Sequence, residues 1–162
     1  MKLDIHTHCV PKTWSNLKEK YGYGGWIQMD LSEDEEKGYM KYDNGSHFRT
    51  VDKNCWDSKT RIRDMDRTGV TLQLLSTTPV MFNYWAKPED TADLSRYINN
   101  DIAKSVAEEP ARFAGLGNLP MQSPELAVEV RRLVFNPRPV INVFDPGLIL
   151  FFFDSTYSNG VA

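Results

Sequence analysis

The sequence has no long hydrophobic segment, few cysteines and little net charge. Its longest wholly apolar run, residues 148–153, is far shorter than the roughly 20 residues that span a bilayer, so we expect no membrane partner. Cys9 and Cys55 are the two cysteines, and they lack a C-x-x-C spacing, which favours reduced thiols in a cytosolic protein over a disulfide framework. The formal net charge of −3 gives no reason to expect a nucleic-acid partner.

Histidine is also scarce, with three residues in the chain, and two of them, His6 and His8, stand close together near the N-terminus. Residues 2–10 are rich in β-formers and end at a proline, which predicts a strand. Side chains alternate along a strand, so both imidazoles should point the same way and could reach one metal ion at about 2.0–2.1 Å. An H-x-H triplet also occurs by chance in proteins that bind no metal.

Residues 11–55 form a segment without regular periodicity. Residues 21–26 interleave glycines with aromatic side chains and predict a packed aromatic turn, because they lack the order of a phosphate-binding loop. An Asn-Gly pair within residues 42–46 predicts a two-residue hairpin turn. In the strand that follows, Arg49 should share a face with His47 and Val51, with Phe48 and Thr50 on the other. Arg49 therefore either points into a site or is an ordinary surface arginine.

From residue 57 onward, helices and strands alternate. A helix is predicted over residues 57–68, a buried strand over 70–76, a second helix from Pro88, a third strand over 113–119 and a further helix from Pro124. This alternation predicts a parallel β/α architecture. The chain has 162 residues, however, and a complete (β/α)8 barrel typically needs about 250.

Local signals define the ends and the buried faces of these helices. Asp57 can cap the first helix, and Gly69 can end it. The second helix carries an apolar residue every four positions, which is the pattern of a helix that packs on a sheet; these residues are Leu94, Ile98, Ile102 and Val106.

The pattern changes near residue 130. Two prolines in residues 136–139 should stop the helix, and the uncharged run 148–153 has no helix after it. We therefore expect two parts: residues 1–132, built from β/α units, and residues 133–162, a divergent and weakly ordered tail with no regular β/α continuation.

Five blocks of the sequence together resemble the 2-amino-3-carboxymuconate-6-semialdehyde decarboxylases, zinc-dependent members of the amidohydrolase superfamily. The resemblance covers about residues 1–130 and is specific, because several long blocks occur in the same order. The blocks are residues 1–14, 18–28, 48–57, 61–91 and 112–128.

The resemblance implies a partial (β/α)8 TIM barrel of amidohydrolase type, with about the first three β/α units and an inserted hairpin. It implies zinc as cofactor, His6 and His8 as metal ligands, and Arg49 as the group that binds a substrate carboxylate. The implied activity is that of a carboxy-lyase: non-oxidative decarboxylation in the kynurenine pathway of tryptophan breakdown, which diverts material from quinolinate and NAD synthesis. Family members form homodimers. Their remaining zinc ligands and catalytic histidine come from later strands, so no catalytic residue is assigned here.

Two functions are consistent with these features. The chain is either a cytosolic zinc decarboxylase of a small-molecule substrate, or a non-catalytic, truncated subunit that pairs with full-length chains. The family blocks favour the enzyme. The second is favoured by the histidine count, because His47 is not at a ligand position of the family and the tail has no histidine.

Overall fold

The computed structural model describes residues 1–134, 140–144 and 151–152, which form strands, helices and two short 3-10 turns. The strands are β1 (Leu3–Cys9), β2 (Gln28–Leu31), β3 (Lys37–Lys41), β4 (His47–Asp52), β5 (Leu72–Thr77), β6 (Phe113–Gly117), β7 (Val140–Phe144) and β8 (Phe151–Phe152). The helices are α1 (Leu17–Tyr21), α2 (Ser58–Thr68), α3 (Pro88–Glu108) and α4 (Pro124–Val134), and the 3-10 turns are Lys53–Cys55 and Pro79–Met81.

The main sheet has the strand order β1-β5-β6-β7-β8. The pairs β1–β5, β5–β6 and β6–β7 are parallel, and the pair β7–β8 is antiparallel. The predicted adjacency of the first three parallel strands is confirmed. Because α2 follows β1, α3 follows β5 and α4 follows β6 along the chain, these elements form three β/α units of a partial barrel.

The predicted ends and buried faces of the helices are also confirmed. The Asp57 side chain accepts a hydrogen bond from the Thr60 amide at 2.7 Å, and Gly69 ends α2 with a left-handed φ of 69°. On α3, the residues at 94, 98 and 102 are buried. They pack against Met65 of α2 and Phe113 of β6 in one hydrophobic core between helices and sheet.

The inserted segment folds as a three-stranded antiparallel sheet, β2-β3-β4. Its second hairpin differs from the predicted two-residue turn. The Tyr42 amide bonds to the Ser46 carbonyl and the Gly45 amide bonds to the Tyr42 carbonyl, so the loop proper has three residues. Gly45 has a φ of 81°, which fits a type I turn closed by a left-handed glycine.

The aromatic turn is confirmed as a packed structure. The Trp26 ring is fully buried and contacts the rings of Tyr21, Tyr23 and Trp85. Hydroxyl groups of both tyrosines donate to carboxylates of α3, at 2.8 Å each. Gly25, at a φ of 104°, lies where a β-carbon would sit 2.7 Å from the Trp85 ring. The turn therefore ties the inserted segment to α3.

The predicted tail contains one element that we did not expect. Strand β7 pairs in parallel with β6 from Val140 to Asn142, so the described residues include one more parallel strand after α4. A parallel strand needs only a short apolar stretch, and residues 140–144 provide one despite the preceding prolines. The expectation that residues 133–162 form a weakly ordered tail without a regular β/α continuation stays a prediction. Most of the predicted tail lies outside the described residues.

No helix in the described part of the chain is long and apolar enough to cross a membrane.

We expect that replacing Asp57 by alanine lowers the free energy of unfolding by about 1 kcal/mol, because the amide of Thr60 loses its cap. The measurement is urea denaturation followed by circular dichroism. Asp57→Asn is the matched control, since the asparagine carbonyl can accept the same hydrogen bond. Equal losses for both variants would contradict a capping role.

Candidate metal and carboxylate site

The imidazoles of His6 and His8 lie side by side on strand β1. Their ring centroids are 5.1 Å apart and the ring planes are nearly perpendicular, at 84°. Both residues are exposed, whereas Thr7 and Cys9, which alternate with them, are buried. The predicted placement of the two rings on one side of the strand is confirmed.

A bulge in β1 lies between Asp4 and Thr7 and includes His6. Between Asp4 and Thr7 the strand advances by one residue more than its partner β5, where Asp4 pairs with Gln73 and Thr7 pairs with Leu75. The His6 amide donates to an Asp4 carboxylate oxygen at 3.3 Å across this bulge. Regular pairing with β5 resumes at Thr7, and exposed and buried side chains alternate from His6 to Cys9.

Gln73 and Arg61 stabilise this bulge with hydrogen bonds. Neither residue was predicted from the sequence. Gln73 donates to the second Asp4 oxygen at 3.1 Å and accepts from Arg61 of α2 at 3.4 Å. Arg61 also donates to the His8 carbonyl at 2.8 Å. The sequence did carry one signal, because a glutamine within the apolar run of residues 70–76 needs a polar partner once it is buried.

The pKa of His8 is lowered from its usual value. The largest cause is the loss of water around the ring, followed by the proximity of His6; Arg61 and Arg49 act in the same direction, while the backbone of Thr77 opposes them. A lowered pKa keeps the ring neutral near pH 7, and the neutral imidazole is the form that binds a metal ion.

Arg49 lies on β4 and faces the same cavity as His8. The cavity is also lined by Met40, Phe48 and Val51. Arg49 and His8 thus line one cavity, and the prediction that Arg49 leans towards the two histidines stays a prediction. The prediction that Phe48 lies on the opposite face is wrong, because a register shift against Met40 and Lys41 of β3 inserts Phe48 as an extra residue of β4. Phe48 therefore packs against the hydrophobic cluster beneath the cavity.

The bulge in β4 also separates His47 from Arg49. The His47 ring contacts the hydroxyl of Thr50 at 3.0 Å, and His47 is absent from the residues that line the cavity shared by His8 and Arg49. The third histidine is therefore not placed to complete a site with the first two.

The thiols are poor candidates for further ligands. Both are free, and burial raises the pKa of Cys9 to about 12 and that of Cys55 in the same direction. A metal ion binds the thiolate, which is scarce at neutral pH when the pKa is this high.

His6 and His8 fit two positions of a metal coordination sphere by their chemistry and spacing. In the described ranges, however, no group of three or more His, Cys, Asp or Glu side chains could hold an ion. The described residues thus provide a pair of ligands and a nearby arginine, but not a closed metal site.

The sequence matches two curated decarboxylases over most of its length. It is 53% identical over 135 residues to 2-amino-3-carboxymuconate-6-semialdehyde decarboxylase of Dictyostelium discoideum, which covers 83% of this chain and 37% of the relative. Identity to the enzyme of the same name from Caenorhabditis elegans is 43% over 136 residues, covering 83% and 33%. The chain therefore spans about a third of the length of these relatives. No family model matches it.

The fold is similar to that of a solved decarboxylase. Superposition on dihydroxybenzoic acid decarboxylase of Polaromonas sp. JS666, determined with bound manganese and the inhibitor 2-nitroresorcinol, gives a TM-score of 0.58 at 21% identity. The match covers 87% of this chain and 36% of that enzyme. The prediction of a partial α/β barrel fold is confirmed, as is the resemblance to the decarboxylases.

We expect the chain to bind Zn²⁺ weakly, because two imidazoles hold the ion less tightly than three or four ligands. His6→Ala or His8→Ala should weaken Zn²⁺ binding further, by at least about tenfold. Removing a residue that only hydrogen-bonds to a metal ligand already weakens binding by about tenfold or more, so removing the ligand itself should cost at least as much. The measurement is competition against a chromophoric chelator at pH 7.5. His47→Ala is the control, and a loss of similar size in that variant would contradict the assignment.

Proposed function

We propose that this chain, which matches the 2-amino-3-carboxymuconate-6-semialdehyde decarboxylases over residues 1 to about 130, carries the N-terminal part of the active site of such an enzyme. The reaction class is non-oxidative decarboxylation of a small unsaturated carboxylic acid. The observation that carries the proposal is that His8, beside His6, shares a cavity with Arg49.

Each of these side chains has a defined task in the proposed reaction. His6 and His8 would hold a divalent ion, which supplies Lewis acidity when bound. Arg49 would bind a substrate carboxylate, since its planar guanidinium can donate two parallel hydrogen bonds to the two oxygens. The apolar walls at Met40, Phe48 and Val51 would exclude water from one side of the unsaturated carbon chain.

The finer assignments belong to the same proposal. We infer zinc as the metal because imidazole ligands suit it. We infer 2-amino-3-carboxymuconate 6-semialdehyde as the substrate, and thus a place in the kynurenine pathway upstream of quinolinate, because identity to the decarboxylases of that name is 53% and 43%. Two free cysteines are consistent with the reducing conditions of the cytosol.

A second candidate function rests on the incomplete ligand set. The described residues supply two imidazoles and no cluster of three ligands. Among the described residues, β1 is also the terminal strand of its sheet, and its exposed side chains include Leu3 and Ile5, each 49% exposed. An unpaired edge of this kind can accept another strand. The chain could thus act as a non-catalytic subunit that pairs with a full-length decarboxylase in place of its usual homodimer partner.

We expect the purified chain, loaded with zinc, to show negligible turnover of the semialdehyde, because catalytic groups that act as a unit lose most of their effect when some are missing. The assay follows the absorbance of the substrate against a full-length relative. Turnover within about tenfold of that relative would contradict this expectation. If the second candidate function is correct, adding the chain to the full-length enzyme changes the activity of that enzyme. A His6→Ala variant of the chain should change it by the same amount, because this function does not need the metal ligands.

We expect Arg49→Lys to weaken the binding of a dicarboxylate probe, muconate, by about 1.5–3 kcal/mol, since the lysine keeps the charge but loses the bidentate hydrogen bonds. Binding is measured by titration calorimetry with the metal-free chain. Arg63→Ala is the control, because that guanidinium bonds to Thr60 on α2. Unchanged affinity in Arg49→Lys, or an equal loss in Arg63→Ala, would contradict a carboxylate-binding role.

A further inference from the structure

Ser76 lies beside His8 in the pairing of strands β1 and β5, where the two residues are register partners. The serine hydroxyl oxygen is 2.7 Å from the carbonyl oxygen of Thr7 and 3.3 Å from Nδ1 of His8. It therefore contacts both the backbone just before the histidine and the ring itself. The contact of Ser76 with the Thr7 carbonyl is partly buried, whereas its contact with the His8 ring is exposed.

The Ser76 hydroxyl has a single proton, so it can donate only one of these two hydrogen bonds. A carbonyl oxygen carries no hydrogen, so the short contact between Ser76 and Thr7 is a hydrogen bond only if the serine donates. A serine hydroxyl has one proton, which is then used. Towards His8 the serine oxygen can only accept, and the donor must be an N–H at Nδ1. In a neutral imidazole with hydrogen on Nδ1, the other nitrogen, Nε2, carries a free lone pair.

We propose that Ser76 is a positioning residue that holds His8 in the Nδ1–H tautomer and so keeps the Nε2 lone pair available to a metal ion. The inference rests on the proposed metal-binding role of His8. Metal-binding histidines generally donate their second ring N–H to an oxygen acceptor, which fixes the tautomer and the ring orientation. Here the acceptor is a serine that the Thr7 carbonyl prevents from donating. Because the same hydroxyl bridges β1 and β5, the ring orientation is coupled to the strand pairing.

The first test reads the tautomer without any metal. The chain has three histidines, so a long-range proton–nitrogen NMR spectrum of histidine-labelled protein contains three ring systems. These are assigned with His6→Ala and His47→Ala. We expect the neutral ring of His8 to carry its proton on Nδ1 in the wild type and to lose that preference in Ser76→Ala. Ser76→Thr, which keeps the hydroxyl, should restore the wild-type spectrum.

Two controls separate this effect from a general loss of structure. Ser105→Ala removes another partly exposed serine hydroxyl, on α3, and should leave the spectrum of His8 unchanged. The ring of His6 serves as an internal reference and should keep its signals in Ser76→Ala. A wild-type His8 with its proton on Nε2, or an unchanged tautomer in Ser76→Ala, would overturn the inference.

The second readout is Zn²⁺ affinity, measured by chelator competition. Ser76→Ala should bind about tenfold to a hundredfold more weakly than the wild type, the loss typical of removing the outer partner of a ligating histidine, while Ser76→Thr and Ser105→Ala should match the wild type. Equal affinity in Ser76→Ala would also overturn the inference. Neither readout uses substrate. The role of Ser76 can therefore be confirmed even if the proposed decarboxylation is not observed, and it can be refuted without affecting the proposed reaction.

Discussion

The parallel pairing of β1 with β5 is the contact on which both the core and the candidate site depend. Three side chains add hydrogen bonds to backbone carbonyls across this pair: Thr7 to Leu74 at 2.9 Å, Cys9 to Ser76 at 3.3 Å, and Ser76 to Thr7 at 2.7 Å. Side chains that bond across strands restrict the register as well as the separation of the two strands. That register fixes the positions of His6 and His8.

The two strands serve different purposes on their two faces. One face contributes Cys9 and Leu75 to the core that α2 and α3 cover, where Ile98 is fully buried. Apolar burial of this kind supplies most of the stabilisation of a small β/α unit. The other face carries His6 and His8, whose rings remain accessible. The covered face therefore gives the exposed face its rigidity, which suits a site that must hold two rings in a fixed relation.

The second half of the site comes from a separate sheet. Strand β4 belongs to the antiparallel β2-β3-β4 sheet, and its Arg49 reaches the cavity at His8. Several contacts connect this segment to the main sheet: among them, the Val10 amide bonds to the Cys55 carbonyl at 3.0 Å, and Val10, Ile27 and Met40 form one buried cluster. The distance between the two histidines and the arginine is thus set by packing between two sheets rather than by either strand alone.

Local sequence determined the features that depend on neighbouring residues. The cap at Asp57, the stop at Gly69, the apolar stripe of α3 and the parallel order of β1, β5 and β6 follow from short-range patterns, because capping, turn geometry and amphipathic periodicity act within a few residues. The sequence likewise indicated that His6 and His8 share a side of one strand. Only the tertiary structure decided where Phe48 points, that β7 extends the sheet, and that Asp4, Gln73, Arg61 and Ser76 surround the histidines. Bulges, strand addition and polar networks depend on partners dozens of residues away, whose distance and register no local pattern contains.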